Sequence, residues 1–319
     1  MSLPKAPLPA VLLLLAVPAL AQPTIDWSGR AYVDYEHTFA ADNRLEQPSG
    51  FFFRRLYLTA NYRLSDAFSG RARLEANSRT VDERGVPHPF VKDLYVRWAP
   101  TDHRLTLGLQ PPPTDEVAEA FWGYRSLART FAERSGAVSS RDFGLEARGP
   151  LFGPVGYALM VANNEGTRVE DDRHKRVYGQ LRFTPTDALA ASLHGDYATY
   201  ADERDHAVTT SAFAGLARTS FRVGAEAVWQ RVARPGASTT ASGASLFVVV
   251  APAPRWEVLA RADYLRRTPT DDPDVEEAFA LAAVSYAPTR GLRLIPNVFW
   301  NRRDDDRSTT GRFTLFVSF

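Results

Sequence analysis

From Ile25 onward, apolar residues recur at every second position, in segments of about ten residues. Leu105, Leu107 and Leu109 alternate with Arg104, Thr106 and Gly108. Phe221, Val223, Ala225, Ala227 and Trp229 alternate with Arg222, Gly224, Glu226 and Gln230. Leu292, Leu294, Val298 and Trp300 stand against Arg293 and Asn297, and Phe313, Leu315, Val317 and Phe319 against Arg312, Thr314, Phe316 and Ser318. Successive side chains of a strand point to opposite faces, so each segment predicts a strand with one apolar face and one polar face rich in arginine.

The breaks between segments say what the strands build. Short ones fall at Ser65-Asp66, 100–102, 149–154, 184–187, Arg218-Thr219, 251–255 and 288–291. Longer ones fall at 38–50, 80–89, 111–140, 164–173, 200–206, 232–241, 268–275 and 303–308. Seven short turns alternating with eight long loops join sixteen strands and leave both chain ends on the short-turn side. A soluble sandwich has no reason to segregate its connections, whereas a membrane barrel has tight periplasmic turns and longer external loops. The expected fold is therefore all-β, a transmembrane antiparallel β-barrel of about sixteen strands. Aromatic residues near strand ends, among them Trp27, Tyr57, Tyr62, Phe68, Trp98, Phe152, Trp256 and Phe319, fit the girdles such a barrel carries at the membrane interfaces. A terminal phenylalanine on an alternating strand is also typical of chains handed to the outer-membrane assembly machinery.

Residues 1–21 predict a cleavable export signal. Lys5 supplies its positive start, Leu8 to Leu20 is almost wholly apolar, and Ala19-Leu20-Ala21 is a small-x-small cleavage pattern. The mature barrel is then expected to span 22–319, in the bacterial outer membrane, with lipid and lipopolysaccharide around it. Downstream, no apolar run is long enough for a membrane helix: Leu246 to Ala251 has six residues and Ala278 to Val284 seven.

One connection departs from the pattern. The 111–140 segment is far longer than a compact fold needs, which marks it as functional. Pro111-Pro112-Pro113 block a strand, Thr114 can cap a helix, and Asp115 and Glu116 suit a helix N-terminus. A helix is predicted over Asp115 to Arg134, in the third external loop, folded inward to narrow a channel; the alternative is an external flap.

Composition removes several classes of function. There is no cysteine, so thiolate metal sites and disulfides are excluded. Without Lys5, 37 basic face 37 acidic side chains, so no global field points to nucleic acid. Three basic residues are lysine (Lys5, Lys92, Lys175) and 35 are arginine. No metalloprotease, phosphate-loop or nucleophile-elbow motif occurs, and the six histidines are scattered. Ser139, Ser140 and His174 are the only catalytic grouping considered, and no enzyme, cofactor or metal is expected. The acidic runs Asp171-Asp172, Asp271 to Asp274 and Asp304 to Asp306 read as solvated loops.

Arginine carries the positive signal. With the apolar set facing lipid, alternation sends Arg55, Arg63, Arg71, Arg73, Arg97, Arg104, Arg148, Arg182, Arg222, Arg261, Arg293 and Arg312 inward. A guanidinium at the lipid midplane would cost about 2–4 kcal/mol, which fixes this register. Arg54 breaks the parity beside Arg55, predicting a bulge or a rim position. Arg125, Arg129 and Arg134 join from the long segment, the first two four residues apart on one helix face. Guanidinium groups stay charged and present a donor fork to oxyanions. The competing use is pairing with the lumen carboxylates Glu75, Asp93, Glu146, Glu226, Glu257 and Asp263, as in a non-selective pore.

Several stretches resemble the phosphate-selective porin O and P family. Phe51-Phe52-Phe53-Arg54-Arg55-Leu56-Tyr57-Leu58 resembles its aromatic–Arg–Arg strand. Gly108-Leu109-Gln110-Pro111-Pro112, then Glu116, resembles the entry to its constriction loop. Phe131-Ala132-Glu133-Arg134-Ser135 and Arg141-Asp142-Phe143-Gly144 resemble the stretch that ends it. The resemblance covers roughly residues 50–150. It implies a sixteen-stranded, trimeric channel with anion preference, Arg54 and Arg55 lining the pore with basic residues of the third loop. The expected pore-lining and anion-binding set is Arg54, Arg55, Arg71, Arg73, Arg97, Arg125, Arg129, Arg134 and Arg141. The expected function is passive diffusion of small inorganic or organic anions such as phosphate. A general porin for small hydrophilic solutes and a closed structural or adhesin barrel are the alternatives.

Overall fold

The computed structural model describes residues 23–42, 49–78, 80–200 and 205–319; the expected export signal, 1–21, lies outside them, as do parts of the expected loops 38–50 and 200–206. Sixteen strands form one closed antiparallel barrel, each paired with its neighbours in sequence and the first with the last. They are β1 (Thr24–Ala41), β2 (Gly50–Arg63), β3 (Phe68–Asn77), β4 (Phe90–Trp98), β5 (Arg104–Gln110), β6 (Asp142–Phe152), β7 (Val155–Ala162) and β8 (Arg176–Thr186). The second half comprises β9 (Leu189–Thr199), β10 (His206–Ala217), β11 (Phe221–Arg234), β12 (Ala237–Ala253), β13 (Trp256–Pro269), β14 (Val275–Thr289), β15 (Leu292–Arg303) and β16 (Asp306–Ser318). Two short helices, α1 (Glu116–Trp122) and α2 (Phe131–Arg134), lie between β5 and β6. No described helix is long and apolar enough to cross a membrane.

Period two sets the sense of the barrel. Leu105, Leu107, Leu145, Leu159, Val161 and Leu193 are exposed on its outer surface, while Thr106, Glu146, Met160 and His194 between them are buried inside. Apolar outside and polar inside is the arrangement that lipid around and water within select. Trp27, Phe68, Trp98, Phe152, Trp256 and Phe319 are exposed close to the turn-side strand ends. Tyr57 does not belong to that girdle. It shares the parity of Arg55 and sits buried on the lumen side, beneath the guanidiniums of Arg55 and Arg73.

The connections depart from regular short–long alternation at two places. The segment 232–241, expected as a loop, is paired strand: Val232 faces Thr239 and Arg231 faces Thr240, leaving Pro235 and Gly236 as the turn. Proline fixes its own φ and Gly236 takes φ 77°, so two residues reverse the chain, and β-branched threonines extend the ladder. At 303–308 the turn is Asp304-Asp305, with Asp304 at φ 53°, a conformation aspartate tolerates. The strand count is unaffected.

Two register shifts matter for the lumen. Tyr32 pairs with Arg55 and Val33 with Phe53, so Arg54 is an extra residue in β2 and both arginines turn inward. Arg73 pairs with Asp93 and Leu74 with Val91, so Lys92 is likewise extra in β4 and buried beside Asp93. The barrel closes by β1 on β16, with the Gly29 N–H donating to Phe319 O at 2.6 Å and the Phe319 N–H to Gly29 O at 3.1 Å. Deleting Phe319 removes both bonds, worth about 1–3 kcal/mol together. The compact, heat-modifiable band on a denaturing gel should then convert to the unfolded one at a lower temperature.

Candidate functional site

The segment between β5 and β6 lies inside the barrel, and two kinds of contact keep it there. The first is apolar. Although most of the inner wall is polar, Phe213, Phe247, Val249, Leu259, Leu281 and Ile295 of β10 and β12–β15 are apolar, inward-facing and buried. Val117, Ala118, Trp122, Tyr124 and Leu127 of the segment pack on them as one core. Phe131, Ala132, Ala137 and Val138 form a second cluster with Val228, Ala241 and Leu265. Gly215 and Gly243 leave the space that the Phe121 and Phe131 rings fill; a Cβ there would fall 2.5 and 2.7 Å from them. Each large apolar side chain so buried contributes about 1.5–3 kcal/mol.

The second kind is polar. Six wall arginines donate to backbone carbonyls of the segment. Arg54 bonds Ser126, Arg222 Phe121 (3.1 Å), Arg261 Arg129 (2.6 Å), Arg267 Ser135 (2.6 Å), Arg176 Ala137 (3.2 Å) and Arg312 Leu127 (3.4 Å). Gln180 donates to Thr114 O (2.8 Å) and Gln230 to Ala137 O (3.0 Å). A non-repetitive backbone inside a barrel must find such partners, because every unpaired buried carbonyl is costly.

The single helix expected over Asp115 to Arg134 is two helices. Gly123, at φ 67°, ends α1 in the left-handed conformation, and Asp115 rather than Thr114 precedes its first turn. Arg125 and Arg129 therefore share no helix face. They meet instead on Glu133, Arg125 donating to it at 2.9 Å and Arg129 lying 3.4 Å away. Thr130 caps α2, accepting from the Glu133 N–H. Glu226, from β11 on the wall, accepts from the Phe131 and Ala132 N–H groups at 2.9 and 3.1 Å. One wall carboxylate thus satisfies two orphan donors of a helix end.

Acid–base balance within the segment is uneven. Burial opposes the charge on Arg125, but Glu133 and Glu119 outweigh it and hold its pKa above the ordinary arginine value. Burial likewise works against the Glu133 carboxylate, yet Arg125 and Arg129 keep it below the usual range. For Asp115, burial together with the Glu133 and Glu119 carboxylates wins, and its pKa is pushed up to about 6. The carboxylate oxygens of Asp115, Glu119 and Glu133 lie within 4.8 Å of one another, and the guanidinium of Arg125 engages two of the three.

Between the segment and the walls of β2, β3 and β14–β16 a cavity of about 250 Å³ remains. Six guanidiniums line it, those of Arg54, Arg55, Arg125, Arg129, Arg134 and Arg312, together with Asn77, Ser78, Phe279 and Phe299. No carboxylate is among its lining residues. Three carboxylates stand behind, Asp34 on Arg54, Glu75 on Arg55 (3.1 Å) and Asp263 on Arg134 (2.8 Å), while Glu36, on Arg312 (2.6 Å), lines an adjoining cavity. Arg54 also lies over the Tyr32 ring and Arg312 over Phe299, at 5.4 and 4.5 Å from the centroids.

Five of the nine arginines expected at the site therefore converge on one cavity. Arg71, Arg73 and Arg141 gather elsewhere, on the buried carboxylate of Asp93, and Arg97 donates to Thr106 near the turn-side rim. Arg312, inward by parity, joins the cavity. The sequence marks Glu226 only as a lumen carboxylate and Glu133 only within the Phe131 to Ser135 stretch, and nothing in it marks Asp34. Ser139 Oγ donates to Arg141 O and Ser140 Oγ accepts from Lys92, whereas His174 belongs to the connection after β7. Of the acidic runs, Asp171 and Asp172 are exposed, and Asp274 pairs with Arg266.

No protein-family model matches the chain, and no curated protein matches its sequence. Solved structures do match its shape. The Comamonas acidovorans anion-selective porin superposes with a TM-score of 0.71 at 12% identity, covering 93% of this chain and 100% of that one. OmpT of Vibrio cholerae, in its trimer form, gives 0.71 at 10% identity, over 94% and 100%. The fold is that of the outer-membrane porins. The outer-membrane channel DcaP of Acinetobacter baumannii agrees, at 0.67 and 11% identity over 93% and 97%. With the connection between β5 and β6 inside the barrel, the arginine cavity lies between that segment and the barrel wall.

Two outcomes follow for the segment. Glu226→Ala strips α2 of its wall cap, a loss of about 1–2 kcal/mol; single-channel conductance should rise and trypsin should cut at Arg125 or Arg129 faster. Asp115 binds its proton more tightly in the docked segment, at about 6, than its ordinary 3.8. Docking is thus strongest below about 3.8 and weakens as pH rises through about 6. Trypsin susceptibility measured across that window should increase with pH, and Asp115→Asn should flatten the increase. Glu133 acts in the opposite sense, and only in more acid solution.

Proposed function

We propose that the chain is an outer-membrane porin, a passive diffusion channel whose constriction favours small anions, with phosphate the first candidate. The observation that carries this reading is the layering of charge at the cavity: guanidiniums in front, carboxylates behind. An ion in the cavity is closer to the donors than to the acids that compensate them, and Coulomb energy falls with distance. Each guanidinium has five donors, so one bond to a carboxylate and one to a carbonyl leave N–H groups to replace the water around an anion. The anion selectivity of the Comamonas acidovorans neighbour supports the same reading. The trimer form of the Vibrio cholerae neighbour supports a homotrimer in lipid and lipopolysaccharide, delivered by a cleaved signal over 1–21.

A general porin for small hydrophilic solutes is the second reading. It is favoured by the pairing itself, since all six cavity arginines have a carboxylate oxygen within 3.4 Å and the whole chain carries a formal +1. Phosphate in particular draws no support from lysine: Lys92, inside the barrel, is engaged by Glu75 at 3.2 Å and Ser140 at 3.1 Å.

Reversal potentials across a planar bilayer under a KCl gradient separate the readings. The wild type should be strongly anion-selective, and Arg54→Ala/Arg55→Ala should move the potential towards zero. A weak or cation-leaning wild-type potential would leave the general porin, and absent conductance the closed barrel.

A further inference from the structure

A second group of arginines lies on the turn side of the inward segment, away from the cavity. Arg97 is the penultimate residue of β4 and Arg104 the first of β5; Arg97 pairs with Thr106, two residues along the same face from Arg104. Arg104 stands directly opposite Arg148 in the β5–β6 register. Two strands further on, Arg182 of β8 completes the group, and the intervening β7 is what lets it approach. Arg182 pairs with Gly156 and Arg148 with Ala158, so the inward face of β7 has almost no side chain between them. The Arg182 guanidinium lies over Gly156, its Nη2 3.6 Å from where a Cβ would be. Arg104 is within electrostatic reach of Arg97, Arg148 and Arg182.

This group is compensated differently from the cavity. Glu146 and Glu116 are its carboxylates, and both are taken by Arg148, at 2.9 and 2.5 Å. Four guanidiniums against two carboxylates leave a local charge of +2. Arg97 has a threonine hydroxyl at 3.4 Å, and the Nε atoms of Arg104 and Arg182 are buried without a hydrogen-bond partner. Like charges opposed across a ladder destabilise a sheet, and a buried donor left unpaired adds to the cost. Both penalties are relieved by one kind of occupant, an anion with several acceptor atoms.

We propose that Arg104 and Arg182, with Arg97 and Arg148 beside them, form a second oxyanion subsite at the periplasmic end of the lumen, suited to sulfate, phosphate or a carboxylate. The subsite deepens the channel reading: an anion leaving the cavity is received by donors whose bonds are unmade. Two weak sites in series allow entry without trapping the ion.

The test titrates sulfate, from each side in turn, against the single-channel chloride current of wild type and of Arg104→Gln/Arg182→Gln. Glutamine keeps hydrogen-bonding capacity and removes like-charge repulsion, and heat-modifiable mobility verifies that the barrel folds. From one side the half-blocking sulfate concentration should rise about fivefold to tenfold, the loss of two charge-assisted contacts to a partly solvated anion. Block from the other side and the reversal potential should stay within about twofold of wild type, since the cavity is intact. Unchanged block from both sides overturns the subsite while an anion-selective potential keeps the channel reading. A cation-leaning wild-type potential with one-sided block still weakened in the variant does the reverse.

Discussion

A stretch of about thirty residues of which only α1 and α2 are helical can sit inside a barrel only if its other backbone carbonyls are bonded there, and wall arginines bond many of them. Arg54, Arg222, Arg261, Arg267, Arg176 and Arg312 reach from five different strands to six carbonyls of the inward segment. The guanidinium suits this work because its planar fork can bond a carboxylate at one edge and a carbonyl at another. Lysine, a single charged point on a flexible stem, could not do both with fixed geometry. Six of the 35 arginines are therefore explained by holding the segment, before any permeating ion is considered.

Docking also makes the lumen lopsided. The segment covers the apolar part of the inner wall, burying Trp122 against Phe247 and Phe131 over Gly243. The cavity of six guanidiniums lies on the other side, against β2, β3 and β14–β16. The bulge at Arg54 contributes directly. It turns two consecutive arginines of β2 inward where strict alternation would send one to lipid, and both line the cavity. A backbone irregularity of one residue thus doubles the positive charge that this strand brings to the cavity.

Period two made the barrel, the strand count and the inward register readable in advance, because lipid outside and water inside enforce alternation on nearly every strand. The parity break at Arg54 could be read for the same reason. Threonine-rich 232–241 could not: polar β-branched residues above the membrane pair as well as apolar ones, and only Pro235-Gly236 marks the turn. Helix propensity over 115–134 overlooked Gly123, whose left-handed conformation splits the segment. The apolar inner wall did leave a trace, the unbroken run Leu246 to Ala251, which is what a strand covered on both faces looks like. Glu226 was legible only as an inward carboxylate, and Asp34 not at all. Their roles depend on which residue lies across the lumen, and sequence spacing does not encode that distance.

Net charge is a poor guide to what such a pore would admit. The chain is almost neutral, and the arginines of the cavity are all matched by acids, yet matching is a count and selectivity is a field. At the cavity the matching acids lie on the far side of the guanidiniums, buried at Asp34, Glu75, Glu133 and Asp263. The same acids fix each guanidinium's direction, since a fork bonded along one edge must turn the other towards the lumen. Compensation behind and exposure in front are then one arrangement. The carboxylates that cancel the charge in a sum are what aim it in space.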